Sequence, residues 1–236
     1  MEAIGFTTGK SLDDADACVR FASDVPQPTG HDLRVAVQAV SVNPVDTKVR
    51  AGIKGVQQPP RILGWDAAGV VESAGDAVTL FRPGDRVFYA GDITRPGSNA
   101  THQLVDERIV GRMPATLDFT QAAALPLTSI TAWEALFTRL RIDPRVDAGK
   151  RLLIIGGAGG VGSIAIQLAK QVAGLEVIAT ASREPSRAWC LSLGADYVVN
   201  HHADMAAECR EQGIAAPDYI LCLNSTDAHF PAMADL

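Results

Sequence analysis

The 236-residue chain has only four cysteines, Cys18, Cys190, Cys209 and Cys222, and they form no C-x-x-C pair and have no histidine at metal-ligand spacing. They are expected to be reduced, mostly buried thiols. Basic runs are missing as well. With 21 Lys and Arg against 27 Asp and Glu and a net charge of -6, the chain offers no cationic stripe to a phosphate backbone. Nucleic acid is therefore not an expected partner. Long apolar runs are also lacking: Leu152 to Ile166 is interrupted by five glycines and is too short to span a bilayer, and the N-terminus shows no charged-then-apolar leader pattern. The expectation is a soluble, cytoplasmic protein with no membrane partner.

What is present is apolar material in two rhythms. Hydrophobic residues make up 47% of the chain, enough for one large core or two modest ones. From Met1 to about Pro114, short alternating segments place residues such as Leu33, Val35, Val37 and Ala39 on one face. Turn signals separate them at Pro26-Gln27-Pro28, Arg82-Pro83-Gly84-Asp85 and Arg95-Pro96-Gly97-Ser98, the pattern of a mostly β domain. From Leu117 apolar residues recur at helical spacing, over Ala122 to Ala124 and Ile130 to Leu140, with Pro126 breaking them into two pieces expected to join the domains. After Lys150, strands at 152–155, 176–180, 197–200 and 219–223 alternate with helices around 161–173, 186–193 and 204–212. That alternation predicts a doubly wound parallel sheet. The expected division is a β-rich domain at 1–125 and an α/β domain with its linker helix at 126–236.

Between the first of those strands and its helix stands "GGAGGVGS". Gly157, Gly159 and Gly162, with Ala158, Gly160 and Val161 between them, satisfy G-x-G-x-x-G. The three glycines are expected to give a tight turn, close backbone approach to a pyrophosphate, and close packing of helix on strand. Amide groups at the helix start, around Gly160 to Gly162, would add partial positive charge. Glycine turns also arise for structural reasons alone. Here the turn follows an apolar run, opens an amphipathic helix and begins a βαβαβ pattern, which favours a dinucleotide.

The end of the second strand selects the cofactor. NAD calls for an acidic residue about twenty residues on, whereas the 2'-phosphate of NADP calls for small polar and cationic groups. "VIATASREPSR" offers Ser182 and Arg183, so NADP(H) is expected over NAD(H). Glu184 lies one residue late for the ribose, and a merely solvated Arg183 is the competing reading. Asn200 and His201, after the third strand, are placed to reach the same adenosine region.

"VSVNPVDTKVRAG" (Val40 to Gly52), "LGWDAAGVVESAG" (Leu63 to Gly75), "FRPGDRVFYAG" (Phe81 to Gly91), "LPLTSITAWEAL" (Leu125 to Leu136) and the glycine turn follow in the order and spacing of the medium-chain dehydrogenase/reductase superfamily. The chain resembles its zinc-free quinone oxidoreductase branch, often labelled zinc-type alcohol dehydrogenase-like. The resemblance implies an α/β fold: a GroES-like β domain, then a Rossmann-type doubly wound sheet, with substrate in the cleft between them. Where the zinc alcohol dehydrogenases carry a catalytic Cys, this chain has Asn43. Where they carry the His of Gly-His-Glu, it has Trp65, followed by Asp66, and their third ligand falls at about Leu127. No cysteine lies between Phe88 and Val105 for a structural zinc lobe. No metal is expected.

Without a Lewis acid, hydride transfer suits an acceptor whose developing charge is delocalised onto an oxygen that hydrogen-bond donors can hold. The expected activity is NADPH-dependent reduction of a quinone or of the C=C bond of an α,β-unsaturated ketone. A metal-free alcohol or aldehyde reductase and a non-catalytic NADPH-binding redox sensor are the alternatives. Asn43 suits a donor toward the substrate or the nicotinamide ribose, or a turn former before Pro44. Lys48, matching a relay position of the family, suits proton transfer or a phosphate contact, or simply a solvated surface. Asp46 would orient Lys48 or an amide, or cap a helix. Thr131 matches a family position beside the nicotinamide, with a helix-interior threonine as the alternative. Trp65 and, more weakly, Tyr89 would wall the cleft or belong to the core.

A full dinucleotide sheet has the strand order 3-2-1-4-5-6, and only four strands precede "NSTDAHFPAMADL". The expectation is a C-terminally truncated form of a longer enzyme that binds NADPH weakly. The family also implies dimerisation through the edge of this sheet.

Overall fold

The structure, a computed structural model, describes residues 1–9, 11, 14 and 17–236. It divides into two units, Met1–Leu127 and Thr128–Leu236. The division falls two residues later than the sequence suggested.

The first unit contains β1 (Glu2–Phe6), β2 (Cys18–Ala22), β3 (Asp32–Ser41), α1 (Pro44–Ala51), β4 (Arg61–Ile62), β5 (Asp66–Ala74), β6 (Arg86–Ala90), β7 (His102–Asp106), β8 (Val110–Arg112) and α2 (Phe119–Ala123). Its strands form an antiparallel sheet of order β7-β3-β5-β6-β8 and a smaller one of order β2-β1-β4. Alternation buries Leu33 and Val35 against Ala67, Val71, Val87, Tyr89 and Val105. The alternation does not run the length of β3. A register shift between Val37 and Ala39 interrupts the pairing with β5, so Val37 packs on this core and Ala39 on a second one with Ala68, Met113, Ala122 and Ala123. That second core holds α2, which is started by Asp118 accepting the Gln121 N–H. The helix therefore belongs to the β unit, and only the next one leads out of it.

That next helix is α3 (Pro126–Trp133), continued by a π-helical turn at Glu134–Arg139. Then follow β9 (Arg151–Ile155), α4 (Gly160–Gln171), β10 (Glu176–Thr180), α5 (Glu184–Ser192), β11 (Tyr197–Val199), α6 (Met205–Glu211), β12 (Tyr219–Cys222) and α7 (Thr226–Ala234). The strands are parallel in the order β11-β10-β9-β12, the 3-2-1-4 part of the expected sheet. β9 reads as an unbroken apolar run because both faces are covered. Leu152 and Ile154 join the core that includes Ala165, Ile166 and Ala169 of α4, whereas Leu153 and Ile155 join Met205 and Cys209 of α6. Among the described residues no helix is long and apolar enough to cross a membrane.

Candidate functional site

β9 ends in a glycine turn whose parts can be assigned by what a side chain would strike. Gly156, one residue before the G-x-G-x-x-G motif, takes the left-handed conformation at φ +87°. Its N–H donates to Thr180 Oγ1 at 3.0 Å. The tight turn therefore falls on Gly156, not on Gly157 as the motif suggested. A Cβ on Gly157 would lie 2.8 Å from Ala179 Cβ, and one on Gly162 would lie 2.4 Å from the Gly156 carbonyl oxygen. Both are glycine because strand and helix leave no room. Gly159 differs: it is exposed, N-caps α4, and its Cβ would meet nothing closer than the Gly156 oxygen at 3.3 Å. Among the described residues no packing contact demands a glycine there as it does at Gly157 and Gly162. Ser163 makes the first amide bond of α4, to the Gly159 carbonyl, so the N–H groups of Gly160, Val161 and Gly162 stand ahead of it. Ala158 and Val161 turn their side chains into the core.

The loops that follow β10 and β11 leave the sheet side by side, because the Ala181 N–H donates to the Val199 carbonyl at 3.0 Å. Ser182 and Arg183 open the first of these loops, and Asn200 and His201 the second. Arg183 is exposed, N-caps α5 through its extended backbone, and makes no ion pair among the described residues. Arg187, one turn further on, is half-buried and was missed in the sequence; its i, i+4 spacing from Arg183 was the available signal. Glu184 is the first residue of α5.

Asn200 is occupied locally. Its Oδ1 accepts the His202 N–H at 3.0 Å, and its own N–H goes to Glu208. Asn200, expected to reach the adenosine region, thus uses its side-chain oxygen to close its own turn. His201 packs against the rings of His202 and His229, at 4.2 and 5.7 Å. Burial, with these two neighbours, pushes its pKa down and favours the neutral ring.

The β unit holds a buried polar junction. Asp66, the first residue of β5, is fully buried; its Oδ2 accepts Asn43 Nδ2 at 2.7 Å and its Oδ1 the Leu127 N–H at 2.8 Å. Asn43 is the N-cap of α1, and its backbone N–H donates to Asp46 at 2.6 Å in a capping box. The helix-capping reading of Asp46 therefore applies, Asn43 is the N-cap residue, and one amide hydrogen of Asn43 is committed to Asp66. Lys48 is exposed on α1, and Thr131 is exposed on α3. Trp65 is only 2% exposed and donates its indole N–H to the Asp92 carbonyl. Tyr89 lies in the sheet core with its hydroxyl on Gln103 Oε1, and burial pushes its pKa well up. Both aromatics are interior residues of the β unit, not walls of an open surface. Asp66 itself went unread in the sequence, although an acid inside the apolar run "LGWDAAGVV" was the signal.

The comparisons with known proteins agree with this architecture. Residues 29–116 match the alcohol dehydrogenase GroES-like domain, and 160–233 match the zinc-binding dehydrogenase domain. A zinc-type alcohol dehydrogenase-like protein of Staphylococcus epidermidis is 48% identical over the whole chain, which covers 70% of it. The chain belongs to the medium-chain dehydrogenase/reductase superfamily, in its quinone oxidoreductase branch. Among solved structures of this superfamily, a Rhizobium etli protein provisionally described as a zinc-dependent alcohol dehydrogenase superposes with a TM-score of 0.93 at 51% identity, over 100% of this chain and 69% of that one. Escherichia coli quinone oxidoreductase complexed with NADPH superposes at 0.73 and 26% identity, over 90% and 63%.

Zinc, which those names imply, does not fit the residues of this member of the superfamily. Asn43 holds an amide bound to Asp66, Trp65 an indole N–H bound to a carbonyl, and Leu127 an aliphatic chain. None is a thiolate or an imidazole. Among the described residues no group of three or more His, Cys, Asp or Glu is placed to hold a metal ion.

Proposed function

We propose that this oxidoreductase uses NADPH, without zinc, to reduce a quinone or the C=C bond of an α,β-unsaturated ketone. The observation that carries the cofactor choice is Arg183, an exposed guanidinium without an ion pair among the described residues, next to Ser182 at a strand end whose sequence offers no acid in the position an NAD ribose needs. Support also comes from the NADPH held by the Escherichia coli relative. The dinucleotide would rest its pyrophosphate on the N–H groups of Gly160 to Gly162 and its 2'-phosphate on Ser182 and Arg183, and would supply the hydride.

The chain's own residues have the remaining work. The open Gly159 lets the backbone approach the pyrophosphate, while Gly157 and Gly162 keep that backbone rigid. Negative charge that develops on a quinone or enone oxygen needs a donor; Lys48, exposed in the first unit, is one candidate, and Thr131, exposed in the second, is another. Asn43 is proposed at the same end of the reaction, with its orientation set from behind by Asp66.

Oxidation of NADPH and NADH with a panel of quinones, enones and aldehydes tests this reading. Turnover of quinones or enones with NADPH is expected. Turnover of aldehydes alone would mark a carbonyl reductase, and cofactor binding without any turnover would mark a sensor. Elemental mass spectrometry is expected to find well under one zinc per chain, with chelators leaving turnover intact. Stoichiometric zinc whose removal abolishes activity would reverse the proposal.

A further inference from the structure

We propose that Asp66 is a positioning residue whose buried charge fixes the start of α1, which carries Asn43 and Lys48, and holds Leu127 in the first turn of α3. The inference rests on the reading of Asn43 and Lys48 as ligand-facing in hydride transfer.

The geometry is that of an ionised carboxylate. Each oxygen receives one N–H, from Leu127 at 2.8 Å and from Asn43 Nδ2 at 2.7 Å, so both act as acceptors, as the two oxygens of a carboxylate do. Asn43 in turn bridges two acids, because its backbone N–H goes to Asp46 Oδ2. The other Asp46 oxygen is buried without a hydrogen-bond partner among the described residues. Asp66 thus holds the Nδ2 end of the Asn43 amide while it accepts.

This arrangement opposes stability. Burial first, and the neighbouring Asp46 charge last, push the Asp66 pKa up, against the two hydrogen bonds that pull it down. A carboxyl that holds its proton more tightly in the folded state contributes most below its unfolded pKa, and that contribution is lost as pH rises through the folded value. Ionising Asp66 therefore costs the folded protein more than the unfolded chain. Position and charge together point to a task at the ends of α1 and α3.

The test uses Asp66→Asn, the reversed pair Asn43→Asp with Asp66→Asn, and the wild type. In Asp66→Asn one of the two donors, Asn43 Nδ2 or the Leu127 N–H, must face an amide NH2, and kcat is expected to fall roughly tenfold or more, the scale for losing a hydrogen bond to a charged group. The reversed pair restores an N–H···O⁻ contact with the charge on the other residue; its Tm should return to wild type while its kcat stays low. Recovery of both would show a purely structural contact and overturn the inference, as would Asp66→Asn with unchanged kcat and pH profile. In the wild type, the NMR signals of the Asn43 side-chain amide should titrate above the ordinary carboxylate range, in step with the acid limb of kcat. An amide insensitive to pH would also overturn it. If no substrate turns over but the amide titrates so, the orienting role of Asp66 stands and the hydride-transfer reading falls.

Discussion

Gly162→Ala is expected to lower the thermal midpoint of the nucleotide unit, although alanine is the better helix former by about 0.8–1 kcal/mol. The residue sits in the first turn of α4, and a Cβ there would lie 2.4 Å from the Gly156 oxygen and 2.6 Å from the Gly157 oxygen. Both are backbone atoms of the same tight turn and cannot swing aside as a flexible side chain would. Relief requires the helix to lift from the end of β9, placing the cost at the upper end of the ~1–3 kcal/mol range for overpacking, or beyond it. In a protein of this size that corresponds to a fall in Tm of roughly 6–12 °C. Gly159→Ala should behave in the opposite way. Its φ of -75° is open to alanine and its nearest contact is 3.3 Å, so the free protein should lose less than about 1 kcal/mol. Dinucleotide affinity should instead fall by roughly tenfold or more, because the methyl group would occupy the space that the pyrophosphate approaches. Differential scanning calorimetry with a cofactor titration separates the two variants. A Gly159→Ala protein with normal affinity would remove the turn from the proposed site.

Arg183→Ala is expected to weaken NADPH by ~1.5–3 kcal/mol, the range for hydrogen bonds to charged groups, and to leave NADH nearly unchanged. Since the guanidinium is exposed, the effect should shrink as salt is added. Arg187→Ala should show a smaller loss of the same kind, since that side chain stands one turn deeper in α5. Arg183→Asp should go further and turn the preference toward NADH, by supplying the acid that a ribose 2'-hydroxyl binds and repelling the phosphate. Isothermal titration of both cofactors against each variant measures this. Equal losses for NADPH and NADH would remove Arg183 from phosphate recognition and return it to the role of a solvated helix start.

Local pattern carried much of this molecule. The four parallel strands fell within a residue or two of their expected bounds, because β9 and β10 are apolar on both faces and each is followed by a helix with its own start signal. Where a pattern spans a defect, it misled. The alternation over Leu33 to Ala39 looks continuous, yet one extra residue in β3 sends Ala39 to a different core from Val37. Asn200 shows another limit, since an amide after a strand suits either a ligand or its own turn, and the turn had a nearby N–H to offer.

The sequence by itself determined the four parallel strands after Lys150, the glycine turn and the cation at the end of β10. Each depends on residues close together in the chain, where spacing translates directly into a face, a turn or a cap. Tertiary structure alone decided which glycine makes the turn and which are forced by packing, since that depends on how closely Ala179 and the Gly156 carbonyl approach. It also decided that Asp66 gathers Asn43 and Leu127, which lie 23 and 61 residues away. Such meetings follow from strand register and from helices anchored at both ends, and no local pattern of residues encodes them.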